Sequence, residues 1–187
     1  SLSSSQASTD VQQGRNRVDV LKAQQARLKA EAEGAASPAF PADVPDAQKD
    51  LERAAFRERG EKIRAEQSAL RQQINQRQSE LTEAQNRVKN LATEVDVARK
   101  QLGVMEGLYR KGAASQLEWL DAQGRLQRLT TTQGDVSNSI PRLQAAIAEH
   151  ASRLNESTSR FRAEARAELA QISAEINRFE LNISNDS

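Results

Sequence analysis

Between Ala47 and about Arg110 apolar side chains recur with a seven-residue period that one register follows. Phe56, Ile63, Leu70, Ala84, Leu91, Ala98 and Met105 fall at d, and Ile74, Leu81, Val88, Val95, Leu102 and Tyr109 at a. A 3.5-residue spacing keeps one seam turned toward a partner helix, and predicts left-handed coiled-coil packing. Gly60 and Gln67 fall at a and Arg77 at d, so the seam is expected to be loosest there. At ~1.5 Å per residue this helix is a rod of roughly 95 Å, a shape few enzymes need.

The pattern stops at Arg110-Lys111-Gly112-Ala113-Ala114-Ser115. Gly112 can adopt the left-handed conformation that ends a helix, and Ser115 with Glu118 spells a capping box for the next one. A second heptad series follows: Leu126, Leu129, Val136, Ile140, Leu143, Ile147, His150, Leu154 and Phe161, then Ala165, Leu169, Ile172, Ile176, Phe179 and Ile183 after a one-position shift. Two helices of similar length around a short loop predict an antiparallel hairpin in which each buries the other's stripe. Pro141 interrupts the second arm and predicts a local kink, since an interior proline loses a hydrogen bond. The apolar register on both sides of it argues against two separate helices.

A shorter helix precedes the hairpin. Val11, Val18, Leu21, Leu28 and Ala32 describe one stripe, with Gln25 as its polar member. Gly34 suits its C-terminal cap, and Pro38, Pro41 and Pro45 make the following segment a turn-forming connector. Asp46 is the expected N-cap of the next helix. The expected organisation is helix 1 over 1–34, a Pro-rich connector over 35–46, hairpin helix 2 over 47–110, a tip at 111–115 and hairpin helix 3 over 116–184. The fold class is all-α: a long antiparallel coiled-coil hairpin preceded by a shorter helix that packs alongside.

Composition agrees with thin helices and excludes several function classes. Only 37% of residues are apolar and 3% aromatic, with a mean hydropathy of −0.75, too little apolar matter for a thick core. The 27 Lys and Arg balance 26 Asp and Glu and are interspersed, so no basic stripe invites nucleic acid or an anionic membrane. No apolar run approaches a membrane span, and the Ser-rich start lacks the basic and apolar regions of a signal peptide. With no Cys there are no disulfides or thiolate metal sites. Neither catalytic, cofactor-binding nor metal-binding residues are expected. The usual nucleophile, base and phosphate-loop patterns are missing, and His150, the only histidine, reads as a packed seam residue. Glu58 with Lys62, Glu83 with Arg87 and Glu149 with Arg153 read as a solvated face with weak i,i+4 pairing.

The tip is the exception. Leu108, Ala113, Ala114, Leu117 and Trp119 concentrate apolar side chains where little of the chain remains to cover them. Such a patch marks an interaction site, unless Leu108 and Leu117 close the last layer of the coiled coil.

This order of pieces resembles the helical part of HlyD-type membrane fusion proteins, the periplasmic adaptors of type I secretion systems. Ala26-Arg27-Leu28-Lys29-Ala30-Glu31, followed by Gly34 and Phe40-Pro41, resembles the family's RL.AE helix end and the break before its long hairpin. Leu108 and Ser115, flanking Gly112, resemble the leucine and serine of its Arg-Leu-Ser tip motif. The motif's arginine position holds Val104, and Arg99 and Arg110 are the candidates to replace it.

The resemblance implies a periplasmic adaptor element, anchored to the inner membrane in the full-length protein. It would bridge an inner-membrane ABC transporter and a TolC-like outer-membrane channel for one-step protein secretion, as a hexamer in the full assembly. The implied partner-binding residues are Leu108, Arg110, Gly112, Ser115 and Leu117. Lipoyl and β-barrel domains, anchor and cytoplasmic tail have no counterpart, so the helical domain alone is expected. The alternatives are a coiled-coil scaffold dimerising in parallel through the same heptads, and a drug-efflux adaptor, which shares the hairpin but usually lacks the extra helix.

Overall fold

A computed structural model describes residues 2–186. It contains three helices, α1 (Leu2–Glu33), α2 (Asp46–Arg110) and α3 (Gln116–Asp186), and no strand among the described residues. α2 and α3 form a long helical hairpin. The chain reverses at Gly112, so the parallel coiled coil, which needs a helix running straight through that residue, is not the fold.

Two compact units are distinguished, Ser1–Ala69 with Arg153–Ser187, and Leu70–Ser152. The first holds most of the buried side chains. Val18, Leu21 and Leu28 of α1 are buried, as are Ala165 and Ile176 of α3, and Leu28, Ala32 and Ala165 form a cluster flanked by Leu169 and Ile172. Gln25, the polar member of the α1 stripe, donates its amide to the Ser173 hydroxyl (3.1 Å), which satisfies both groups where they are half-buried. Ala23, Ala26 and Ala30 are buried as well, so α1 is enclosed over more than one stripe. Alanine permits this, because its single methyl lets neighbouring backbones approach closely.

The α1 cap and the connector are tightly specified. Gly34 is left-handed (φ 70°), and the Ala35 amide donates to the Ala30 carbonyl (2.9 Å), the long bond of a Schellman cap. Val44 tucks in at 3% exposure, Arg53 lies over the Phe40 ring (5.2 Å), and Lys22 pairs with both Asp43 and Glu180. Asp46 is not the N-cap expected from sequence. The Pro45 carbonyl accepts the amides of Gln48 and Lys49, so Asp46 is the first helical residue and its carboxylate faces solvent toward Lys49 (4.0 Å). The cause is Pro45, whose fixed φ already suits a helix start.

The seam within this unit is polar where the register is weak. Gln67 donates to the Thr158 hydroxyl (2.8 Å), and Phe56 and Ile63 are only half-buried. Ser157, 6% exposed, has a hydroxyl with no hydrogen-bond partner.

In the second unit the seam tightens around Leu81, Ala84, Leu91, Val95 and Ala98, the only buried side chains described in α2. His150 is half-buried with Nδ1 enclosed and unpartnered, a packed imidazole. Exposed i,i+4 ion pairs form at Asp96–Lys100 (3.2 Å) and Glu106–Arg110 (2.9 Å), whereas Glu83 and Arg87 make none. In the first unit Glu156–Arg160 (2.7 Å) forms and Glu58–Lys62 does not. Exposed pairs each contribute ~1 kcal/mol or less, so side-chain entropy decides which persist.

α3 is assigned as one helix through Pro141. Nearby, the Ser139 hydroxyl donates to the Val136 carbonyl (2.6 Å). The proline still deprives the Ser137 carbonyl of its amide partner. Pro141→Ala is therefore expected to stabilise the hairpin by about 1–3 kcal/mol, read as a raised denaturation midpoint at unchanged m-value. A midpoint that stays put or falls would mean that the proline is built into the packing.

Candidate docking site at the hairpin tip

The turn is closed by hydrogen bonds that its sequence dictates. Gly112 adopts φ 76°, which a residue with a Cβ rarely does, and this lets the Ala113 amide reach the Leu108 carbonyl (2.8 Å) and the Gly112 amide reach the Tyr109 carbonyl (3.0 Å). Those two bonds are a Schellman motif. On the other side the Ser115 hydroxyl accepts the Glu118 amide (3.1 Å) and donates to the Glu118 carboxylate (3.1 Å). This is a variant of the expected capping box, with the carboxylate on the serine hydroxyl.

An aromatic pair spans the turn. Tyr109 and Trp119 stack across the turn with ring centroids 5.0 Å apart and planes within 6°. Trp119 is half-buried and Tyr109 remains 36% exposed, so the stack covers only part of the apolar surface at the turn. Leu117 is left 68% exposed, Leu108 38%, and the neighbouring Leu120 47%. Val104 is 64% exposed. A groove between α2 and α3 lined by Val97, Val104, Met105 and Ala122 continues this apolar surface, with Lys100, Glu118, Asp121 and Arg125 on its rim.

Each residue singled out from sequence thus has a definite place. Leu117 and Leu108 carry apolar surface, and Gly112 makes the reversal, with open space where a Cβ would stand. Ser115 is committed to the helix cap, and Arg110, on the last turn of α2, is exposed and paired with Glu106. The reading by residue missed Tyr109, assigned to the seam, together with Leu120 and the groove around Val97 and Val104. The one available signal was Trp119, ten residues after Tyr109 and across a four-to-five-residue turn, where two large rings must meet.

The RLKAE segment makes a second concentrated feature. The Glu31 carboxylate, 1% exposed, accepts Nη1 of Arg27 (2.8 and 3.0 Å) and Nε of Arg59 (2.7 and 3.0 Å). Arg27 Nε donates to Glu52 (2.8 Å), and the Arg59 guanidinium lies over the Phe161 ring at 5.3 Å. Burial alone would lower the Arg27 pKa, but the Glu52 hydrogen bond and the charges of Glu31 and Glu52 outweigh it and hold it above its ordinary value. Two carboxylates and two guanidiniums cancel in charge while joining α1 to α2, and the Arg59–Phe161 contact adds α3. Glu31 is enclosed and Arg59 stays partly open to water, and the cluster carries no nucleophile.

These features coincide with a recognised pattern, because the sequence from residue 7 to 186 matches the profile of the AprE long alpha-helical hairpin. The chain belongs to the AprE hairpin family. Its fold is that of a type I secretion membrane fusion protein. It superimposes on the crystal structure of the soluble domain of LipC, a membrane fusion protein of a type I secretion system, with a TM-score of 0.87 over 97% of this chain and 89% of LipC, at 21% identity. No curated protein matches by sequence. In this AprE-family hairpin the RLKAE segment closes α1 against α2 and α3, and the apolar surface collects at the turn. No helix is long and apolar enough to cross a membrane among the described residues.

Proposed function

We propose that this chain is the periplasmic hairpin of an adaptor for one-step protein secretion, anchored to the inner membrane in the full-length protein. It connects an inner-membrane ABC exporter to a TolC-like outer-membrane channel. Leu108, Arg110, Gly112, Ser115 and Leu117 form the surface that meets the channel. The observation that carries this reading is a turn fixed by its own hydrogen bonds that leaves Leu117, Leu120 and Leu108 in water beside the Tyr109–Trp119 stack. Exposed apolar groups on a fixed turn are what a docking contact requires. Membership of the AprE family and the LipC fold support the same reading.

The roles divide by chemistry. Leu108 and Leu117 supply the apolar contact. Gly112 and Ser115 shape the turn, one by its left-handed backbone and the other by capping α3. Arg110 supplies a charge held by an exposed pair that a partner carboxylate could replace at little cost. Several copies side by side, six in the assembly that the family resemblance implies, would ring the channel end. The exporter would supply the chemistry.

Leu117→Asp and Leu108→Glu in the full-length protein test the reading. Neither side chain contributes to the described core, so helicity by circular dichroism should be unchanged, while secretion through the host's own exporter and channel falls at least tenfold. Secretion at the parental level from both variants would remove the tip from the mechanism.

A further inference from the structure

We propose that Tyr109 and Trp119 are positioning residues that hold the tip in its docking arrangement, so that the partner meets a preformed surface and does not have to order it. The inference rests on the docking reading above and adds to it how the surface is kept in shape.

Both rings belong to residues whose backbones already hold the turn. The Tyr109 carbonyl accepts the Gly112 amide (3.0 Å), and the Trp119 amide donates to the Ser115 carbonyl (3.2 Å). The parallel stack therefore joins the residue that closes the outgoing side of the turn to the residue that opens the incoming side. Between these two clamped points lies the left-handed Gly112, whose Cα faces open space. The Schellman bonds hold its backbone, but no side chain beyond its chain neighbours comes within 4 Å of where its Cβ would be, so the stack is the side-chain contact described across the turn. Without the stack, a glycine turn at the end of two helices would sample many directions, and Leu117, one turn from it, would move with the α3 start. Preorganised binding surfaces avoid that ordering cost on association.

The indole nitrogen indicates what holds Trp119. Its Nε1 is enclosed and has no hydrogen-bond partner, so the ring is kept by the fit of its face against Tyr109 and not by its donor. A ring of the same plane without the N–H should therefore serve equally well. A merely apolar residue should not.

The test uses the full-length protein in its host, with a photo-crosslinking amino acid at the exposed tip residue Lys111 and an antibody against the outer-membrane channel. Tyr109→Ala and Trp119→Ala are expected to lower the channel cross-link at least tenfold, equivalent to about 1.4 kcal/mol. Tyr109→Phe and Trp119→Phe should stay within twofold of the parent, with helicity unchanged in all four. If the alanine variants are poorly folded, Trp119→Leu keeps apolar bulk without the stack and should still lose the cross-link. Alanine or leucine variants that cross-link like the phenylalanine ones overturn the positioning role, and if Leu117→Asp abolishes the cross-link in the same experiment the docking reading stands without it. A cross-link that survives Leu117→Asp sinks the docking reading itself.

Discussion

Replacing Glu31 by glutamine is expected to destabilise the protein by about 3 kcal/mol, the low end of what breaking a buried ion pair costs. The carboxylate is 1% exposed and is shared by Arg27, 12% exposed, and Arg59, 38% exposed. Neutralising it leaves two guanidiniums facing one buried site. Arg59 can turn toward water, which is why the lower figure applies. Arg27 cannot do so as easily, and Glu52 alone must hold it. For a chain of this size the melting temperature should fall by roughly 6–12 °C. Hydrogen exchange should rise over the second half of α1 and the start of α2, and stay unchanged from Leu81 to Ala98. Uniform exchange along the chain would show that the cluster does not fasten α1. Glu31→Gln combined with Arg59→Met should recover part of the loss, since the second change removes the stranded charge.

Leu28→Ala should cost about 3–4 kcal/mol, the middle of the range for a buried leucine. Leu28 is 1% exposed and its neighbours include Ala32 and Ala165, each a single methyl on a helix backbone. Such neighbours cannot swing in to fill the space, so the cavity persists. Leu91, in the two-helix seam of the other unit, offers a contrast. It is 5% exposed with water close on both sides, and Leu91→Ala should cost about half as much because solvent and longer side chains can close the gap. Urea unfolding of the two variants checks the ratio, and equal losses would show that the three-helix cluster has no special rigidity.

These two residues also show how the sequence was readable. Leu28 belongs to the heptad-like stripe of α1 and its burial follows from spacing. Glu31 does not: three residues on, it looks like any charge on a helix that alternates charge and alanine. Only the arrival of Arg59, 28 residues later in sequence, and of Arg27 from the turn before makes it a buried carboxylate. The same holds at the tip. Gly112 and Ser115 announce a reversal through local backbone chemistry, but Tyr109 sits in register with the seam, and its stacking on Trp119 depends on how the two arms meet. Asp46 failed as an N-cap because the neighbouring Pro45 starts the helix one residue early.

What the sequence determined by itself is whatever depends on near neighbours: three helices, the reversal at Gly112, the weak seam around Gly60 and Gln67, and the all-α hairpin class. Period, caps and prolines act within a few residues, so they are written where they act. The tertiary structure alone decided which charges are buried, which alanines are core, and which apolar residues at the tip remain in water. Burial is a property of what arrives from elsewhere in the chain, and at any one position the same Glu, Ala or Leu is compatible with either outcome.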